Sequence, residues 1–301
     1  MQYIRKPNRP KTPPTVPATA VAVFPTAQAP GETAPVASVL FEDRLNYLKP
    51  TFSLAVSHCP WREDRAAIMR CMRPTILRDG SLYKEITDRA PNHVWSRTMW
   101  SWGASQPVTH GVYLQDDLRV HPQFWNVIEA MVRAVPNRII SLISNHPMSD
   151  RSLAEGHAWF RQCETLGSGY IVPTVLMGAF LAWADRLSQA EAASLCEDYT
   201  LSRWQYETGR RSWCPIPTII QTIDDVVTTN PAISYPFRRS YITWEDPRVV
   251  AKPLTSPSYW TARILPPDFG PSVGNDSRMA RGPFQNDEIL ATHNRIVKER
   301  R

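Results

Sequence analysis

The sequence predicts an α/β fold, with a mainly parallel central sheet, helices on both faces and an extended tail at each end. Three observations lead there. Apolar runs of strand length alternate with runs of helical period between residues 38 and 264; the two ends lack such runs; and at 301 residues with 43% apolar and 21% charged side chains the middle has a globular composition. Strand–helix alternation of this kind favours parallel neighbours, because each helix carries the chain back over the sheet.

TFSLAVSH (51–58) is the first expected strand and REDRAAIMRCM (62–72) the helix that follows it. SLYKEITD (81–88) is a second strand, VWSRTMWSWGA (94–104) a helix and THGVYLQ (109–115) a third strand. In QFWNVIEAMVRAV (123–135), Phe124, Val127, Ile128, Met131 and Val135 share one helical face, and Pro122 suits the first helical position. RIISLISN (138–145) is a fourth strand. YIVPTVLMGAFLAWA (170–184) is apolar throughout, but Pro173 and Gly178 interrupt it and it falls short of the ~20 residues of a membrane span. It is therefore expected to be a fifth strand running into a buried helix, in a soluble protein without a transmembrane segment.

The flanks differ in composition. Residues 1–37 contain eight prolines and no acidic residue before Glu32, which predicts a basic, disordered arm. Residues 265–301 are again rich in Pro, Gly and polar groups and predict an extended tail. Basic residues near the N-terminus are not followed by an apolar stretch, so no ordinary signal peptide is expected. Five cysteines without a C-x-x-C pair indicate neither a zinc ribbon nor a disulfide framework, and point to a reducing, cytoplasmic setting (host cytoplasm for a viral protein). The net charge of +6 and pI near 9.2 suit an anionic partner: nucleic acid, a nucleotide or an anionic surface.

The third strand ends at Gln115, Asp116 and Asp117. In parallel sheets ligands bind outside the carboxyl ends of the strands, and a pair of carboxylates there suits a hard cation such as Mg²⁺ or Mn²⁺. Plain solvation of the pair is the alternative, since Asp-Asp recurs at Asp224 and Asp225. A helix cap is not, because the next helix begins too far along.

With these residues the chain resembles nucleotide-sugar glycosyltransferases of the A-type fold, over residues 50 to 230. THGVYLQDDLRVHPQFW (109–125) is similar to their strand-end Asp-x-Asp segment, with Gln115, Asp116 and Asp117 at its three positions. FSLAVSHCPWREDR resembles the first strand and its nucleotide-contacting loop, and EITDRAPNHVW the second strand. The resemblance implies a single Rossmann-like domain and a Mn²⁺ or Mg²⁺ ion held by Asp117 and Gln115. It also implies donor contacts from Ser57, His58, Asp88 and Asp116. CEDYTLSRWQYETGR (196–210) resembles the acceptor-side segment, which makes Asp198, with Glu197 second, the candidate catalytic base. WCPIPTIIQT (213–222) resembles a segment that closes the site. Two positions depart from the pattern: Gln115 replaces a carboxylate, and Thr222 stands where related enzymes place a histidine ligand.

Each of these residues also has a structural reading. His58 could be a plain hydrogen-bonder, Asp88 could cap a turn before Pro91, and Glu197 with Asp198 would favour a helix N-terminus. Arg62, Arg65 and Arg97 are candidates for the diphosphate without distinction among them. The implied activity is sugar transfer from a nucleotide-diphosphate donor to an acceptor hydroxyl, on a glycan or on modified bases in DNA. The competing class is a non-catalytic structural or nucleic-acid-binding module on a similar sheet.

Overall fold

The structure, a computed structural model, describes residues 49–78, 82–87, 92–144, 148–162, 165, 168–188, 191–192, 197–223, 240, 242–262 and 268–269. The N-terminal arm, Asp88, the Asp224–Asp225 pair and all of the C-terminal tail except residues 268–269 lie outside these residues.

In chain order the elements are β1 (Phe52–His58), α1 (Glu63–Ile76), β2 (Leu82–Thr87), α2 (Asn92–Ala104), β3 (His110–Gln115) and β4 (Leu118–Val120). Then come α3 (Phe124–Ala134), β5 (Ile139–Ser141), α4 (Met148–Ala154), β6 (Trp159–Gln162), β7 (Gly169–Pro173) and α5 (Thr174–Ala184). The last are α6 (Glu197–Glu207), β8 (Ser212–Pro215), β9 (Ile220–Thr222), α7 (Pro257–Thr261) and β10 (Asp268–Phe269). Every strand and helix expected up to residue 184 is present. Pro122 is not the first helical residue, however: α3 opens two residues later behind Gln123, whose N–H donates to His121 Nδ1 at 3.0 Å.

Eight strands form one sheet in the order β10-β6-β8-β5-β7-β3-β1-β2, and β4 pairs with β9 in a separate two-stranded sheet. β2, β1 and β3 are parallel neighbours, as expected. The rest is mixed: β7 runs antiparallel to both β3 and β5, and β6 antiparallel to β8. The apolar run at Tyr170 marks a buried strand but not its direction. Direction follows from where β7 begins: Gly169 lies beside Leu114, at the carboxyl end of β3.

Side chains alternate between two cores, as the period of two requires. Leu54, Val56, Val112, Leu114, Ile140 and Ile171 point to one face, where α1 and α3 cover them with Met69, Met72, Ile76, Val127, Ile128 and Met131. Ala55, Tyr113, Ile139, Tyr170 and Val172 point to the other, covered by α2, α5 and α6 through Met99, Trp100, Met177, Phe180, Leu201 and Trp204. The sheet is thus sandwiched by helices, a Rossmann-like arrangement. No helix among the described residues is long and apolar enough to cross a membrane.

The second face is packed around aromatic rings. Tyr113 and Tyr170 stack with centroids 5.1 Å apart, and Trp100 Nε1–H donates to Tyr170 Oη at 2.7 Å. Tyr113 lies back across its own strand: a Cβ at Gly111 would fall 2.7 Å from Tyr113 Oη, and one at Gly103 would overlap it. Both glycines are therefore space requirements of one ring. Gly111→Ala is expected to cost about 1–3 kcal/mol by overpacking, read as a lower denaturant midpoint at unchanged m-value.

At the start of β3, His110 is buried, its ring nitrogens 2.8 Å from Thr109 Oγ1 and 2.8 Å from the Pro136 carbonyl. Burial pulls its pKa down from 6.5 to about 4, and the Pro136 carbonyl only partly opposes this. Below the ordinary value the unfolded chain therefore binds a proton that the folded chain refuses. The contribution of His110 is fully present above pH 6.5 and is lost as pH falls towards 4. Denaturant titrations at pH 7 and pH 5 should show a smaller loss for His110→Gln than for the wild type.

Candidate functional site

β1 is flanked by β2 on one side and β3 on the other, so the connection from β1 to β2 runs one way along the sheet and that from β2 to β3 crosses back. In open α/β sheets such a switch point opens a crevice at the carboxyl ends of the diverging strands. His58 ends β1, Gln115 ends β3, and Gly169 at the start of β7 pairs with Leu114 at the same edge.

Asp116 is reached from two elements. Its Oδ2 accepts the Cys59 N–H at 2.7 Å and lies 2.9 Å from His58 Nδ1, while its Oδ1 accepts from Arg65 Nη1 at 2.9 Å. The same Arg65 Nη1 stands 2.8 Å from Asp117 Oδ2. All three charged groups are buried: Arg65 and Asp116 are 4% exposed and Asp117 1%. For Arg65 burial works against the charged form, but the carboxylates of Asp117 and Asp116 outweigh it and raise the guanidinium pKa. Asp116 and Asp117 are thus neither a solvated pair nor a helix cap.

The local sequence explains this arrangement. Arg65, Met69, Met72 and Ile76 are the buried residues of α1, spaced so that they share one face. Arg65 takes the first place on that face, directly below the strand ends. Asp117 is held from the other side as well: its carbonyl accepts the Ile223 N–H at 2.9 Å, and the next residue, Leu118, pairs with Thr222 across β4–β9.

Gln115 turns the opposite way. Its Nε2 donates to Glu197 Oε1 at 3.2 Å, joining the end of β3 to the start of α6 across 82 residues of sequence. Glu197 is buried, whereas Asp198 is half-buried. Tyr170 lies near enough for Glu197 to act on it: burial first, then the charge of Glu197, raises the Tyr170 pKa well above 10.0. The phenol stays protonated. Ser57 is buried, one residue before His58 in β1 and so on the opposite face.

The structure therefore brings together His58 and Asp116 directly and Asp116 and Asp117 through Arg65, and separately Gln115 and Glu197. Gln115 and Asp117, expected to share one cation, bond to helices on opposite faces of the sheet. Among the described residues no group of three or more His, Cys, Asp or Glu is placed to hold a metal ion. Asp116 has both oxygens engaged and Asp117 shares its Oδ2 with a guanidinium, so this donor set does not fit a divalent cation held by the protein. Of the three arginines, Arg97 pairs with Asp185 and Arg62 with Asp64, leaving Arg65 alone on the strand-end carboxylates. Trp204 and Trp213 are core residues. By contrast Trp61, three residues past β1, is 48% exposed.

Sequence reasoning named Arg65 only as one of three undistinguished candidates for a diphosphate, and it missed the Cys59 N–H and Trp61. A charged residue on the apolar face of α1 was the available signal for Arg65. No protein-family model matches the chain, and no curated protein is similar to it.

Removing either member of a buried ion pair leaves an uncompensated charge. Asp116→Ala is expected to lower stability by about 3–5 kcal/mol, more than a change in either exposed partner of the Arg119–Glu245 pair. Urea denaturation of the two variants side by side checks this.

Proposed function

We propose that this protein is a glycosyltransferase that takes a nucleotide-diphosphate sugar at the switch point between β1 and β3 and passes the sugar to an acceptor hydroxyl. One observation carries the reading. Polar groups 82 residues apart, Gln115 and Glu197, meet at the same strand ends as His58, Asp116 and Asp117. Thr222, which stands where the enzymes the chain resembles place a histidine ligand, pairs with Leu118, the residue after Asp117.

In this reading Asp198, half-buried in the first turn of α6, is the base that accepts the proton of the attacking hydroxyl. Glu197, held by Gln115, sets the position of that turn. Trp61 offers an aromatic surface for the base or sugar of the donor, and Arg62 in the same turn would meet the diphosphate by exchanging its pairing with Asp64 for it. Donor contacts from Ser57 and Asp88, and an acceptor that is either a glycan or a modified base in nucleic acid, belong to the same proposal. A base within a duplex would have to be flipped out to reach such a site.

A second reading has its own support. Burial of Asp116 and Asp117 around Arg65 is also what a non-catalytic α/β module would need to fasten α1 to its sheet.

Thermal denaturation with a panel of nucleoside diphosphates and nucleotide sugars, each with Mn²⁺, with Mg²⁺ and with chelator, separates the two readings. A transferase is stabilised by its own donor through mass action; indifference to the whole panel in a well-folded sample favours the module. Stacking on an aromatic ring contributes about 1–3 kcal/mol per base. Trp61→Ala should therefore weaken nucleotide binding roughly tenfold while leaving the melting temperature of the free protein nearly unchanged. Retention on DNA that falls steeply with salt would identify nucleic acid as the acceptor.

A further inference from the structure

We infer that Arg65 is a built-in replacement for a divalent cation: the Asp116–Asp117 pair is closed to Mg²⁺ and Mn²⁺, and a nucleotide taken up at the switch point is bound without either. The second half of this inference rests on the nucleotide-binding reading; the first half does not.

One nitrogen does the bridging. Arg65 Nη1 is 2.9 Å from Asp116 Oδ1 and 2.8 Å from Asp117 Oδ2, which puts positive charge between the two carboxylates, where a shared ion would have to sit. A Mg²⁺ ion binds its oxygens at about 2.0–2.1 Å in an octahedron that tolerates little distortion. It could not reach these oxygens without lying against the guanidinium, and two like charges at that separation repel strongly away from water. Arginine cannot relieve the conflict by losing a proton.

Nor can it readily move aside. Arg65 is fixed on α1 by the same face that buries Met69, Met72 and Ile76, so its departure would disturb a packed helix. The remaining oxygen of Asp116 is taken by the Cys59 N–H and His58, and both contacts draw electron density from a would-be ligand. Gln115 completes the pattern, since its side chain is turned to Glu197 rather than to Asp117. Neutralising a diphosphate would then fall to fixed donors such as Arg62 and backbone N–H groups rather than to an ion.

The test uses the full chain and MnCl₂ without nucleotide, with bound Mn²⁺ read by electron paramagnetic resonance and stability by melting temperature. Wild type and Asp117→Asn should retain the same amount of Mn²⁺, and neither should be stabilised by it. Arg65→Ala exposes two adjacent carboxylates. It should melt lower in chelator and recover on adding Mn²⁺ by about 2–4 °C for each kcal/mol of binding. Asp117→Asn in that background should abolish the recovery. Mn²⁺ retained by wild type and lost in Asp117→Asn would overturn the inference, as would a folded Arg65→Ala that ignores Mn²⁺. Should Arg65→Ala fail to fold, the wild-type and Asp117→Asn comparison decides by itself. With nucleotide added, equal affinity in chelator and in Mn²⁺ supports the second half, and strict dependence on Mn²⁺ sinks it. Absence of nucleotide binding under both conditions defeats the transferase reading instead, and the Mn²⁺ result still stands.

Discussion

The buried guanidinium of Arg65 fastens α1 to the carboxyl end of a sheet in which β1 and β3 are already paired. It sits on α1, bonds Asp116 and Asp117 just past β3, and through Asp116 reaches the end of β1 at His58 and Cys59. Taking these groups out of water carries a desolvation cost that attraction offsets only when the geometry is close and the remaining lone pairs are satisfied. Here the distances are short, and the backbone N–H of Cys59 supplies one of the extra bonds. An apolar substitute could pack as well, but it would not dictate which turn of α1 lies under which strand end.

That constraint carries outwards. With Asp117 held by Arg65 on one side and its carbonyl on Ile223 on the other, the chain turns directly into β4, which pairs with β9 instead of extending β3. The small second sheet is thereby fixed to the edge of the large one where the switch point lies. On the opposite face the stacked Tyr113 and Tyr170 occupy the same layer, and Gly111 and Gly103 leave the space that Tyr113 fills. Tyr170 in turn shares its apolar cluster with Leu201 and Trp204 of α6. The two halves of the candidate site are therefore held by different means, one by buried charge and one by ring packing.

Burial limits what chemistry these groups can do. Asp116 and Asp117 are positioned to organise a strand end rather than to exchange ligands with solvent. Asp198 and Trp61 retain accessible surface at the edges of the same region. A division between a rigid, buried base and accessible groups around it would give a binding site the preorganisation that oriented catalysis requires.

The sequence by itself determined β1, α1, β2, α2, β3, α3, β5, β7 and α5 and the two-faced character of the sheet, because both are local consequences of apolar periodicity; the short β4, α4 and β6 were not among the expected elements. It also marked Gln115, Asp116, Asp117 and Glu197 as residues worth attention, from their places at strand and helix ends. Three things were decided only by tertiary structure. The antiparallel course of β7 depends on the end from which the chain re-enters the sheet, and an all-apolar strand reads the same in both directions. The pairing with the carboxylates was not legible because Arg65 lies 51 residues before Asp116; its place on the apolar face of α1 marked it as unusual, but only packing shows which groups it meets. Finally, Gln115 and Asp117 are two residues apart in the chain, yet they serve opposite faces. The turn after β3 sets that division, through bonds to α1, α6 and β9 that no local pattern contains.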